Sequence, residues 1–349
     1  MRLLVVFFSI LAFSSCKETE DKRDLGPIQA VVIEPIFTDS VSIRAIDILA
    51  DGSLAFAGSN GKYGLYNPVT QVWSTSTIQY DSITPNFRAV AHTTEDFFAL
   101  SIGSPALLYK TGDAGKMEVV YKEEDPKAFY DSMIFWNDKE GIAMGDPTEN
   151  CISVIITRDG GNSWNKLSCD LLPEAAAGEA AFAASNGNIA VYGDHAWIIT
   201  GGMKSRVLHT ADKGNTWEIF ETPLVQGTPT TGGYAIDFYD ENTGFIVGGD
   251  YTNPEANTAT KALSLNGGKT WELVANNQKP GYRSGVQFIP NSDGKGLVAI
   301  GFKGVDYSKD QGSTWKHLSD EGFFTLRFLN DSTAYAAGTN RIAKLKFKR

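Results

Sequence analysis

Short apolar runs of four to six residues, separated by turns rich in Gly, Asn, Asp and Ser, recur from about residue 41 onward. The unit is clearest in MIFWNDKEGIAMGD (133–146), AIDFYDENTGFIVGGD (235–250), VQFIPNSDGKGLVAIG (286–301) and TLRFLNDSTAYAAG (325–338). Each reads as an apolar strand, an Asp/Asn turn, and a second strand of small apolar residues ending in Gly. No stretch sustains a helical period, so the pattern predicts an all-β chain built from many short strands.

A second motif follows each unit. TRDGGNSW (157–164), TADKGNTW (210–217), SLNGGKTW (264–271) and SKDQGSTW (308–315) align without gaps, and decayed copies lie at TGDAGKME (111–118) and YNPVTQVW (66–73). The third positions are Pro68, Asp113, Asp159, Asp212, Asn266 and Asp310, spaced by 44 to 54 residues. Five of the seven tryptophans share one motif position, which chance does not explain. The motif resembles the Asp-box (BNR) repeat. Its acid accepts hydrogen bonds from its own turn and its Gly takes a backbone angle other residues resist. Asp113, Asp159, Asp212, Asn266 and Asp310 therefore read as structural, with Trp164, Trp217, Trp271 and Trp315 filling the wedges between neighbouring sheets.

Joined, the two motifs make a four-stranded propeller blade. Residues 28–349 divided by seven give 46 residues, matching the repeat, and the expected blades are 41–78, 87–122, 131–168, 180–221, 234–275, 284–318 and 323–347. The last holds only three strands. IQAVVIEPIF (28–37) is left over before the first blade and is expected to supply the missing outer strand, closing the ring and covering its edge. The expectation is a seven-bladed β-propeller of four-stranded blades closed by an N-terminal strand, spanning 28–349.

The combined pattern over about residues 40–345 is similar to the photosystem II stability/assembly factor family of plants and cyanobacteria, and to exported bacterial relatives. That resemblance implies a seven-bladed propeller acting as a protein-binding or assembly platform. Asp boxes also occur in sialidases, which implies a competing reading as a glycoside hydrolase or a glycan-binding module. Such enzymes hold a substrate carboxylate with three arginines, whose planar forks suit it. Aligned starts of the innermost strands place Arg44, Arg88, Asp131, Ala180, Tyr234, Ser284 and Phe324 at one channel mouth, with Arg283 beside Ser284. NFRAV (86–90) lacks the Ile-Pro of the sialidase arginine motif, and no Tyr/Glu nucleophile pair is evident, so an ion-paired channel wall is the favoured reading and no catalytic residue is assigned.

Composition narrows the rest. The 31 Lys+Arg against 41 Asp+Glu leave a net charge of −10 with no basic run, which argues against a nucleic-acid partner. The sequence has no GxGxxG after a strand, CxxC, GxSxG or P-loop, so no cofactor is expected. His92, His195, His209 and His317 lack metal-ligand spacing, and no metal site is expected; Asp146 and Asp250, ending equivalent second strands, read as solvated.

Residues 1–16, MRLLVVFFSILAFSSC, resemble a bacterial lipoprotein signal: Arg2, an apolar run too short to span a bilayer, then Cys16. The resemblance implies cleavage after residue 15, lipid on Cys16, a polar tether over 16–27, and a partner bilayer at the cell envelope, most simply the outer membrane on its periplasmic or surface face. Cys151 and Cys169 flank the turn 157–164 almost symmetrically, so they sit opposite one another on one hairpin and are expected to pair in an exported protein. The longest connections, 169–180, 222–233, 250–260 and 275–283, fall on the face opposite the box turns. Arg44, Arg88, Asp131, Tyr234, Tyr251, Tyr282 and Arg283 form the expected partner face, meeting an envelope protein or a glycan.

Overall fold

The computed structural model describes residues 26–112 and 115–349. Cys16, the leader, most of the tether and Asp113 lie outside the described residues. Among those described, seven antiparallel sheets follow one another along the chain, with no helix long and apolar enough to cross a membrane. The innermost strands are Ala45–Ile48, Phe87–His92, Tyr130–Phe135, Ile189–Tyr192, Thr231–Phe238, Gly285–Phe288 and Thr325–Asn330. Each touches the next and the last touches the first, so the seven blades close into a ring around a central channel.

Closure uses the expected strand. Thr325–Asn330 pairs with the first half of the long run Thr333–Lys348, and Ala30–Ser42 pairs with its second half, from Ala30 opposite Lys348 to Ser42 opposite Thr339. The run doubles back at Asn340, whose φ is 61°, and Phe347 N–H donates to Ser332 O at 2.8 Å. Blade 7 thus takes its outer strand from the beginning of the described chain.

Among the described residues, apolar side chains form one cluster for each pair of adjacent blades, and an eighth gathers Ala184, Tyr234 and Tyr282 with Phe182. The repeat tryptophans sit in these wedges: Trp164 between blades 2 and 3, Trp217 between 3 and 4, Trp271 between 4 and 5, Trp315 between 5 and 6. The turns carrying them are near-identical. In blade 4, Asp212 accepts from Thr216 N–H at 2.8 Å and Thr216 Oγ1 at 2.7 Å, while Thr210 Oγ1 accepts from Gly214 N–H at 2.8 Å. Asp159, Asn266 and Asp310 repeat the pattern. Burial works to raise the Asp159, Asp212 and Asp310 carboxyls, but these hydrogen bonds hold each below the usual range.

One expectation fails. Blade 4 begins at Ile189, not at 180. Glu179–Ala180 pairs with Gly201–Gly202, which pairs in turn with Gly232 at the inner edge of blade 5. Residues 181–188 belong to no sheet, and their run of small residues is what permits the path they take.

Candidate functional site

That path crosses the channel mouth on the face opposite the box turns. Arg44 Nη1 donates to Ala184 O at 3.4 Å and Arg88 Nη1 to Ala183 O at 3.0 Å, from blades 1 and 2. The Asn186 amide donates to Val90 O at 2.8 Å and accepts from Met133 N–H at 2.9 Å. From blade 7, Thr325 Oγ1 donates to Ser185 O at 2.8 Å and Arg327 Nη2 to Asn186 O at 3.0 Å. Blade 5 contributes Ile236 N–H to Gly187 O at 2.9 Å. Blade 4 adds Ile199 N–H to Asn188 O at 2.9 Å, so segment 181–188 is an internal plug held by six blades. Left-handed Asn186, at φ 54°, turns the plug so that its carbonyls face outward to these donors.

The expected partner-face residues are thus gathered at one mouth, but most serve the fold. Arg44 lies 3.8 Å over the Phe324 ring, and burial lowers its pKa. Arg88 falls to about 10 through burial and the neighbouring Arg44 charge, opposed by Asp131. Asp131 is fully buried with both oxygens unpartnered, so burial and then the Asp146 charge push its carboxyl far up. Asp146 is half-buried rather than simply solvated. It accepts from Ala181 N–H at 2.7 Å, and burial raises it to about 6. Asp250 caps its own loop through Thr252.

Arg283 is corrected from a surface anchor to a buried ion pair. It is 5% exposed, and its Nε donates to Asp306 Oδ2 at 2.7 Å. His317 Nδ1 meets the other Asp306 oxygen at 3.0 Å. The three expected arginines do not form an open carboxylate clamp: Arg44 and Arg88 donate to plug carbonyls, and Arg283 to Asp306.

Tyr234 and Tyr282 are buried too, but within an aromatic row that reaches the surface. Phe182 of the plug stacks on Tyr234 at 3.9 Å; Tyr234 meets Tyr282 edge-on at 4.8 Å; Tyr282 meets Phe302 at 5.3 Å. Phe302 is 39% exposed and Tyr251, beside the row, 47%. Phe182 and Phe302 were missed from sequence, since one lies in a misassigned strand and the other in a two-residue turn. The Cys151 and Cys169 sulfurs are bonded, with Cα atoms 5.5 Å apart, on this same face.

The opposite mouth is lined by Asp47, Asp237, Gln287 and Arg327 around a cavity of about 430 Å³. Asp237 accepts from Phe288 N–H at 2.6 Å, and burial raises it to about 7. His195 Nδ1 and His209 Nε2 approach to 2.9 Å on paired strands, yet no group of three metal-ligating side chains occurs among the described residues.

This architecture has counterparts among solved structures. The fold resembles that of YCF48. The structure titled "YCF48 bound to D1 peptide" matches at a TM-score of 0.66 and 13% identity, covering 93% of this chain and 98% of that one. YCF48 from Cyanidioschyzon merolae matches at 0.64 and 13%, covering 91% and 98%. A virginiamycin B lyase from Staphylococcus aureus matches at 0.60 and 10%, covering 90% and 99%. At these identities the likeness is one of fold. No protein-family model and no curated relative matches the sequence.

Proposed function

We propose that this chain is a protein-binding propeller, a platform that presents its loop face to a partner protein in the cell envelope. One observation carries the reading: the aromatic row Phe182–Tyr234–Tyr282–Phe302, rigidly backed by blades 4 to 6, surfaces at Phe302 beside exposed Tyr251. Rigid aromatic rings that emerge from a packed base are the side chains that anchor protein interfaces, because little entropy is lost when they are covered. The resemblance to YCF48, one structure of which holds a D1 peptide, supports binding rather than catalysis. So does the commitment of Arg44, Arg88 and Arg283 to the protein itself, which leaves a sialidase-type carboxylate clamp unformed.

Anchoring completes the proposal: lipid on Cys16 holds the propeller at a membrane surface, with residues 17–27 as the tether. Cys16→Ser should release it from the membrane fraction or leave it unprocessed; normal cleavage and equal membrane retention would refute this part. For the platform itself, the test is cross-linking and gentle co-purification from membranes with Tyr251→Ala/Phe302→Ala. Loss of the captured protein with unchanged thermal stability is expected. Retention in that variant, with loss in a box-face Leu265→Ala variant, would place the working surface on the other side.

A further inference from the structure

Between blades 3 and 4, on the loop face, the turn after Gly145 and the connection 175–180 enclose a cavity of about 500 Å³. One wall is small, made by Ala175, Ala176, Ala177, Gly178 and Ala180; Asp146, Pro147, Glu149 and Asn150 face it from the turn after Gly145. They are also fixed in place. The Cys151–Cys169 disulfide, the bridge between Cys151 and Glu174, and Ala175 N–H donating to Asn150 O at 2.8 Å tie the two loops together.

Its charged groups are unbalanced. Glu179 is bonded to Arg206, so its charge is answered. Asp146 has no ion pair among the described residues and one hydrogen bond, from Ala181 N–H to Oδ1. Its neighbour Asp131, wholly buried, has no hydrogen bond on either oxygen. Glu149 and Lys127 stand at the exposed rim, and the Arg88 charge acts on Asp131. A preformed cavity with small side chains along one wall and an unpaired carboxylate is complementary to a long side chain ending in a cation. With Oδ1 engaged by the plug, Asp146 offers one free oxygen, which suits a point ammonium better than the two-pronged guanidinium.

We propose that this cavity receives a lysine side chain from an extended segment of a partner protein, its stem along Ala175–Ala177 and its ammonium on Asp146. The proposal deepens the platform reading but is measured on the isolated protein, so its failure leaves that reading standing. The site also predicts a pH dependence: affinity rises as pH passes about 6, where Asp146 ionises, because the ammonium pairs only with the carboxylate. The negative charge of Glu149 at the rim adds to the attraction and the positive charge of Lys127 opposes it.

The experiment is a ¹H–¹⁵N NMR titration of the purified propeller with Nα-acetyl-lysine methylamide, against its isosteric but uncharged counterpart, Nα-acetyl-2-aminoheptanoic acid methylamide. Shifts confined to 146–150 and 175–181, at least ten-fold tighter for the lysine probe, are expected. Asp146→Asn should lose that ten-fold while keeping its spectrum elsewhere, and Glu149→Gln should lose two- to three-fold. Equal affinity for both probes, unchanged lysine binding in Asp146→Asn, or shifts centred elsewhere would each overturn the assignment. Should Asp146→Asn fail to fold, a wild-type titration flat between pH 5 and 7.5 would do so instead.

Discussion

Two glycines at one repeat position separate backbone strain from wedge packing. Gly161 in blade 3 and Gly115 in blade 2 both have left-handed backbones, at φ 77° and 71°. An alanine at either position incurs about 1–2 kcal/mol for the left-handed conformation. Their surroundings differ. A Cβ on Gly161 would stand 2.3 Å from Phe98 Cε1 and 2.5 Å from Cζ, whereas one on Gly115 meets nothing within 4 Å. Phe98 cannot yield easily, being fully buried against Phe135 at 4.8 Å and Trp164 at 6.4 Å. Overpacking of this kind adds about 1–3 kcal/mol. Gly161→Ala should therefore cost about 2–5 kcal/mol and Gly115→Ala about 1–2 kcal/mol. Urea unfolding followed by tryptophan fluorescence, with m-values compared to confirm a common transition, measures both. Equal losses in the two variants would refute the claim that the repeat glycine exists to let one blade press against the next.

Three further outcomes are expected. Burial raises Asp146 to about 6 and Asp237 to about 7, so the stability they contribute is full below about 4 and fades as pH climbs through those values. Urea midpoints should thus be higher at pH 5 than at pH 8, and Asp146→Asn/Asp237→Asn should flatten the slope. Trp271→Ala should cost about 3–5 kcal/mol through the cavity it leaves between blades 4 and 5, read by the same unfolding curves. Arg283→Glu sets a second carboxylate against buried Asp306 and should cost about 3–5 kcal/mol, while Arg283→Met should be milder; equal stability to wild type would refute the ion-pair assignment.

The blade count, the tryptophan wedges and the closing strand were legible because each rests on a local pattern repeated in register. A tryptophan at the same place in successive turns can only be serving the same wedge. The plug was illegible for the opposite reason. EAAFAASNGN (179–188) has the alternation and small residues of an inner strand, and only the ring as a whole reveals that its hydrogen bonds go to six blades. Strand alignment gathered the expected partner-face residues at one mouth, yet alignment carries no information about burial. Arg283 and Tyr251 are both loop-face residues in sequence; one is sealed against Asp306 and the other is exposed. Phe302 needed the third dimension, since nothing local distinguishes it from any turn aromatic.

The strand that seals the ring imposes an order in time. Ala30–Ser42 is synthesised some 300 residues before the Thr339–Lys348 segment it must pair with. A chain delivered N-terminus first, from a ribosome or through a translocation pore, therefore carries an unpartnered strand until nearly all of it has arrived. Six blades have neighbours to pack against as they emerge, but the circle stays open like an unfastened bracelet. The final step is a docking of two distant segments, slow because the intervening chain must already be wound to bring them together. Anything that holds Ala30–Ser42 during that wait, such as a chaperone, decides whether the clasp meets its own partner strand or another molecule's.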